Sequence, residues 1–163
     1  AREPFLHYEH KELGYNYRLS NLLAAVGRAQ LKKIDYFVSK RRDIFKLYYS
    51  ELSNLPGFNF MPEGKQNLMN RWLTALTIDK EKAGFSNKQL MELLEEKNIE
   101  SRPVWKPMHL QPLYKNDKFI TSKNKDESKS IYNNGICLPS GSSLAVENQL
   151  KIIDIIRSFC KHV

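Results

Sequence analysis

An apolar stripe at helical spacing from Ser20 to Leu55 sets the tightest limit on this fold. Leu23, Val26, Ile34, Phe37, Phe45, Tyr48, Leu52 and Leu55 recur at steps that place them on one side of a helix. Gln30 and Arg41 fall on the same stripe and weaken it. Ser20 or Asn21 can serve as N-cap, and Pro56-Gly57 is a firm stop. At about 1.5 Å per residue a single helix over this span is roughly 50 Å long, more than a small domain needs. Helices of that length bridge two bodies or kink midway. Two shorter helices joined near Ser39 satisfy the same pattern.

Beyond the stop the periodicity changes. Phe58–Met61 and Trp72–Ile78 read as strands separated by the polar stretch Glu63–Asn67. Ser86 opens a helix with Leu90, Leu93 and Leu94 as its inner face, closing at Asn98. Ile99–Trp105 is a third strand candidate, ended by Pro107, and Met108–Thr121 is a loop region. A short helix over about Ser122–Asn133 leads into the brief strand Ile136–Leu138. The last element is an amphipathic helix, Val146–Cys160, with Leu150, Ile153, Ile156 and Phe159/Cys160 facing inward. This order predicts an α+β layer with one small core. Residues 1–19 have no periodic partner stretch, although Phe5, Leu6, Tyr8 and Leu13 are apolar. They read as the trailing end of an upstream domain.

Composition narrows the function classes. The 163 residues suit one ordinary domain, and a hydrophobic content of 41% with 27% charged residues is that of a soluble globular chain. No apolar run reaches membrane-spanning length, and Ala1-Arg2-Glu3-Pro4 carries no signal-peptide core. Cys137 and Cys160 lack the spacing of a metal knuckle, which favours a reducing cytoplasmic setting. The net charge is +8. Its lysines and arginines are spread along the chain, with Lys32, Lys33, Lys40, Arg41 and Arg42 read as solvated helix faces. That distribution argues against nucleic acid and suits a phosphate-bearing small molecule.

Two constellations carry the chemistry. In Gly14-Tyr15-Asn16-Tyr17-Arg18-Leu19-Ser20-Asn21, an amide, two phenols and a guanidinium stand just ahead of a helix N-terminus. Such groups suit a phosphate or carboxylate. They can equally tie the helix entrance to neighbouring backbone. In Ser101–Tyr114, prolines at 103, 107 and 112 and the Trp105 ring stiffen the chain, holding Lys106 and His109 in defined directions. An aromatic surface beside a cation and an imidazole can take a base or sugar with its phosphate. The alternative is a surface turn with Trp105 and Met108 plugging the core. No carboxylate that would orient His109 is evident in the sequence. His7 and His10 lack a third metal ligand, and Ser140-Gly141-Ser142-Ser143 fits a turn better than a phosphate cradle.

Together these segments resemble the DegT/DnrJ/EryC1/StrS sugar aminotransferases. The resemblance rests on Gly14 through Ala25 with Gln30-Leu31, on Arg102-Pro103 through Trp105-Lys106-Pro107-Met108-His109, and on Gly135-Ile136-Cys137-Leu138-Pro139-Ser140-Gly141. It spans essentially the whole chain and looks closest to the branch that aminates keto sugars attached to UDP. It implies an α/β architecture similar to the C-terminal part of fold-type I enzymes. There a long interdomain helix is followed by a small, largely antiparallel sheet covered by helices. The corresponding division is residues 1–19 as the end of a large cofactor-binding domain, 20–57 as the connecting helix, and 58–163 as the small domain.

The resemblance further implies pyridoxal 5'-phosphate as cofactor, glutamate as amino donor and a nucleotide-diphosphate keto sugar as acceptor, in bacterial glycan or polysaccharide building. It also implies a cytoplasmic homodimer, with no nucleic-acid or membrane partner. Asn16 reaches the partner's cofactor phosphate, with Arg18 nearby, while Trp105, Lys106 and His109 line the sugar-nucleotide pocket. The family's Schiff-base lysine is expected ahead of residue 1, leaving no catalytic residue in this chain and making the fragment inert alone. The competing reading is a stand-alone or regulatory module that binds nucleotide sugars or nucleic acid without catalysis.

Overall fold

The computed structural model describes residues 8–121 and 125–161. Ser20 caps helix α1 (Asn21–Leu31), its Oγ accepting from the Leu23 N–H at 3.3 Å. The helical stretch does not continue as one rod. It breaks at Lys32–Lys33 and resumes as α2 (Ile34–Leu52), so the junction lies ahead of Ser39. Lys33 has φ −118° and ψ 15° and no side-chain cap. The cause lies in packing. No residue of α1 is buried, so Leu23 and Val26 lie exposed rather than on a core face. Only α2 enters the core, through Ile44, Tyr48 and Leu52.

Two cations of α2 are not solvated as the charge pattern suggests. Arg41 Nη1 donates to the carbonyls of Trp72 and Ser140, and Arg42 Nη1 donates to Glu63 Oε1 at 2.8 Å. Lys32, Lys33 and Lys40 do remain exposed. Past Pro56 the chain turns on Gly57. Its φ of +80° and the 2.6 Å between a notional Cβ and the Asp79 carbonyl leave room for glycine alone.

Strands β1 (Phe58–Phe60), β2 (Thr74–Ile78), β3 (Arg102–Pro103) and β4 (Gly135–Leu138) form one antiparallel sheet in the order β1-β2-β4-β3. In β2, Thr74, Leu76 and Ile78 are buried while Ala75 and Thr77 are half-buried on the opposite face. The strand starts at Thr74 rather than Trp72 because Arg71 turns the chain at φ 50° and the Thr74 N–H is taken by Ser140 Oγ at 2.8 Å. β3 is likewise shorter than Ile99–Trp105. The Ile99 N–H closes the preceding helix on the Leu94 carbonyl at 2.8 Å, and prolines 103 and 107 have no N–H to give a ladder.

Four helices complete the layer. α3 (Lys80–Ala83) was not anticipated, being too short for periodicity. It is defined by its ends, where Asp79 accepts from the Glu81 and Lys82 N–H groups and Gly84 turns at φ 82°. α4 (Asn87–Glu96) opens on a capping box between Ser86 and Gln89 and buries Leu90 and Leu94. α5 (Glu127–Asn134) begins at the Asp126 cap, later than Ser122; Ser122–Asn124 fall outside the described residues.

α6 (Val146–Lys161) buries Gln149, Ile152, Ile153 and Ile156, whereas Leu150, expected inward, is exposed. The face is rotated because the Gln149 amide donates to the Ile44 carbonyl of α2 at 2.7 Å. The core is the seam where α2, α4 and α6 meet the sheet, around Tyr48, Leu52, Phe85, Leu94, Ile136 and Ile153. Each such side chain contributes about 1.5–3 kcal/mol by leaving water. Among the described residues no helix is long and apolar enough to cross a membrane.

Candidate substrate-binding site

The loop from Arg102 to Gln111 is stiffened by its prolines and pinned by one buried side chain. Gln111 Nε2 donates to the Tyr8 carbonyl at 2.9 Å and to the Lys106 carbonyl at 3.3 Å, while its Oε1 accepts from the His10 N–H at 2.8 Å. This clamp lashes the segment at Tyr8–His10 to the loop, across 103 and 101 residues of sequence. Over it, Tyr8, Trp105 and Trp72 form a ladder of three stacked rings, with centroids 5.7 Å apart at each step and planes tilted by 21° and 25°. Trp105 therefore does not plug the core. It is 47% exposed between its two neighbours, and Met108 is exposed beside it.

Lys106 is ion-paired with Glu9, both side chains being largely buried. His109 sits in a short 3-10 turn, Met108–Leu110, and its ring stacks on Phe119 with centroids 3.8 Å apart. Its Nε2 lies 2.7 Å from Asp126 Oδ2. A carboxylate does orient His109, contrary to the sequence expectation. It escaped notice because Asp126 reads as the cap of α5 and is brought in only by the fold. Desolvation pushes the Asp126 carboxyl up, but bonds from the Lys129 N–H, Ser128 Oγ and His109 outweigh it and hold the group below its ordinary value.

Two adjoining clefts share Val104, Trp105 and Ile131. One, about 450 Å³, is bounded by Tyr8, His10, Lys106 and Met108. The other, about 570 Å³, lies over the sheet face away from α2, α4 and α6, with Ile131 of α5 at its edge, and is walled by Trp72, Met61, Ala75 and Arg71. Behind that wall Glu63 accepts from Arg42 and Arg71 and from the Met69 N–H at 2.6 Å. The Arg42 hydrogen bond, then the Met69 one, lowers its pKa to about 2. Arg71 is buried, lies 3.7 Å over the Phe45 ring, and has an Nε–H without a partner.

The Gly14–Asn21 segment stands apart. Tyr17 and Arg18 take φ of 54° and 67°, and the Arg18 N–H donates to Asn16 Oδ1 at 3.2 Å. That Asx-type turn leaves the Asn16 Nδ2 and the Arg18 guanidinium without bonds to any described residue, and Tyr17 is 89% exposed. Among the described residues no hydrogen bond, ion pair or ring contact joins Asn16 or Arg18 to Trp105, Lys106 or His109. Unspent amide and guanidinium donors fit the phosphate of pyridoxal 5'-phosphate by chemistry. Ser140 is structural: its Oγ accepts from Thr74 N–H and donates to the Leu138 carbonyl at 2.7 Å. No group of three or more metal-ligating side chains occurs among the described residues, and His7 lies outside them.

Comparison with known proteins gives these clefts a context. The model of the DegT/DnrJ/EryC1/StrS aminotransferase family matches residues 1–157. EpsN of Bacillus subtilis, whose name carries a provisional pyridoxal phosphate-dependent aminotransferase assignment, is 46% identical over 157 residues, 96% of this chain and 40% of that protein. GDP-perosamine synthase of Vibrio cholerae is 35% identical over 153 residues, 93% of this chain and 40% of its own length. The solved structure of S. venezuelae DesV superposes over 100% of this chain and 42% of its own, with a TM-score of 0.78 at 24% identity, a likeness of fold. The chain spans about 40% of the length of these two curated relatives.

Proposed function

Because the chain belongs to the DegT/DnrJ/EryC1/StrS aminotransferase family, we propose that it is the C-terminal portion of a nucleotide-sugar aminotransferase. The enzyme takes its amino group from glutamate and gives it to a keto sugar carried on a nucleoside diphosphate. Glutamate leaves as 2-oxoglutarate, its new keto oxygen taken from water, and the sugar's keto oxygen leaves as water, so no water is consumed overall. The observation that carries this reading is the family match over residues 1–157, which takes in both constellations. Relatives of at least 30% identity whose names specify a product include GDP-perosamine synthase, which supports a nucleotide-linked sugar.

The family is pyridoxal-phosphate-dependent, and the cofactor when bound supplies the electron sink for moving the amino group. This chain's residues hold and orient. In a homodimer of the full-length protein, the Asn16 Nδ2 and the Arg18 guanidinium bind the cofactor phosphate. Trp105 walls the sugar-nucleotide pocket. Lys106, balanced by Glu9, and His109, braced by Asp126, present polar groups at its rim. No lysine of the 163 residues is assigned to the cofactor, so this segment alone has no transaminase activity.

Full-length protein supplied with pyridoxal phosphate, glutamate and a nucleoside-diphosphate keto sugar should form 2-oxoglutarate and the amino sugar in equal amounts. Absence of 2-oxoglutarate with UDP-, GDP- and dTDP-linked keto sugars alike defeats the assignment. Asn16→Ala in the same protein should lose cofactor on gel filtration; undiminished retention removes the role given to Asn16. The 163-residue chain treated with cofactor and borohydride should give no single stoichiometric lysine adduct.

A further inference from the structure

The three-ring ladder has a free end, and that end is expensive to leave in water. Tyr8 is buried and Trp105, though 47% exposed, has a ring stacked on each face, whereas Trp72 ends the ladder and is 56% exposed. An indole of this size is ordinarily placed against something when the chain has a core to offer. Instead it is fixed outward. The Trp72 N–H donates to Asn70 Oδ1 at 3.0 Å, its carbonyl accepts from Arg41, and the preceding Arg71 takes φ 50°. A non-glycine residue in the left-handed region is a strained conformation that its surroundings must hold in place. Backbone and stacking thus present one flat ring in a defined orientation in the lining of the 570 Å³ cleft.

The walls say what kind of group fits. The cleft is apolar on the sheet side, through Ala75, Leu76 and Met61, and Ile131 closes it. The charged cluster behind it, Arg42 and Arg71 about Glu63, sums to one excess positive charge. The Arg71 guanidinium itself is buried, 3.7 Å over the Phe45 ring, and acts on the cleft through its charge. A flat ring face, apolar flanks and a net cation behind them favour a planar, uncharged, acceptor-bearing ring over a cation or an aliphatic chain. A heterocyclic base has those properties.

We propose that the outer face of Trp72, backed by Trp105, is the stacking platform for the base of the nucleotide sugar. Its contribution goes to affinity for the nucleotide part, not to the sugar. This inference rests on the nucleotide-sugar reading above and adds to it a residue, Trp72, that lies outside both sequence constellations. Stacking is tolerant of base identity because every base has a π face. The platform therefore accepts pyrimidine and purine diphosphates alike, and discrimination between them falls to other groups.

The test is calorimetric titration of the full-length protein with UDP, GDP, dTDP and, separately, glucose 1-phosphate, which has phosphate and sugar but no base. Trp72→Ala should weaken the three nucleotides about 5- to 150-fold, the range for removing a base-stacking ring, and leave glucose 1-phosphate unchanged. Trp72→Phe, which keeps a flat ring and guards against a folding defect, should restore most of the nucleotide affinity. Equal affinity of wild type and Trp72→Ala for all three nucleotides overturns the platform and leaves the aminotransferase reading standing. Equal weakening of glucose 1-phosphate and the nucleotides also overturns it, because the ring would then hold the sugar. Wild type that binds none of the three nucleotides overturns both.

Discussion

Residues 14–31 and residues 34–161 are built on opposite terms. The first stretch is the more specific as sequence, yet no side chain in it is buried. Tyr17 at 89% exposure is its extreme, and its order rests on the Asn16 turn and the Ser20 cap. The second stretch is held by a continuous core in which Tyr48, Leu90, Leu94 and Ile156 are completely covered. The difference teaches that recognisable sequence and self-supporting structure are separate properties. Tyr15, Asn16, Tyr17 and Leu22 take no part in the buried core. A stretch so specified and so little packed is suited to contact with something else, and its exposed apolar side chains, Leu19 ahead of the cap and Leu22, Leu23 and Val26 on α1, are the sort of surface that associates.

The contrast is most easily broken by truncating one side chain in each region. Leu90→Ala, at a fully buried position of α4, should lower unfolding stability by about 2–5 kcal/mol in urea denaturation. Leu22→Ala should change it by no more than about 0.5 kcal/mol. Comparable losses would mean that α1 packs within this chain after all. A middle case sharpens the boundary. Gln111→Ala removes the acceptor of the His10 N–H and a donor to the Tyr8 carbonyl. It should cost about 1–3 kcal/mol, the penalty for orphaned buried polar groups. Amide exchange at His10 should speed up with it, and unchanged protection there would show that the ring ladder alone holds the segment.

What the sequence disclosed follows the same division. Elements with strong periodicity or caps were legible: the Ser20 and Ser86 caps, the Pro56-Gly57 stop, β1, β4 and α6. Features set by a single long-range contact were not. Gln149 displaced Leu150 from the inner face of α6 because of one carbonyl on α2, information absent from the local pattern. Arg41 and Arg42 look like solvated charges until the loop at residues 61–72 folds back over them. In the site, Trp105, Lys106 and His109 could be nominated from the proline-rich spacing. Their partners Tyr8, Trp72, Glu9 and Asp126 could not, since each arrives from a distant element as an ordinary residue. A signal existed only for Gln111, a polar residue among prolines and apolar side chains.

The smallest expected effect concerns the pin between α2 and the loop at residues 61–72. The hydrogen bond from Arg42 is the main cause holding Glu63 down, and the Met69 N–H adds to it, so its folded-state pKa is about 2 against an ordinary 4.5. A carboxyl depressed in the folded state favours folding wherever the unfolded chain binds more protons. Its contribution is therefore complete above about pH 4.5 and is lost as pH falls toward 2. Glu63→Gln keeps the shape and cannot titrate. Wild type should be the more stable protein at neutral pH, and the two urea midpoints should converge across that acid window. The gap should shrink in about 1 M salt, because the site is partly open to solvent. Midpoints that run parallel from neutral pH down to 2 would show that Glu63 is held by shape alone, and the loop bearing Trp72 would then owe its position to the stacked rings rather than to charge.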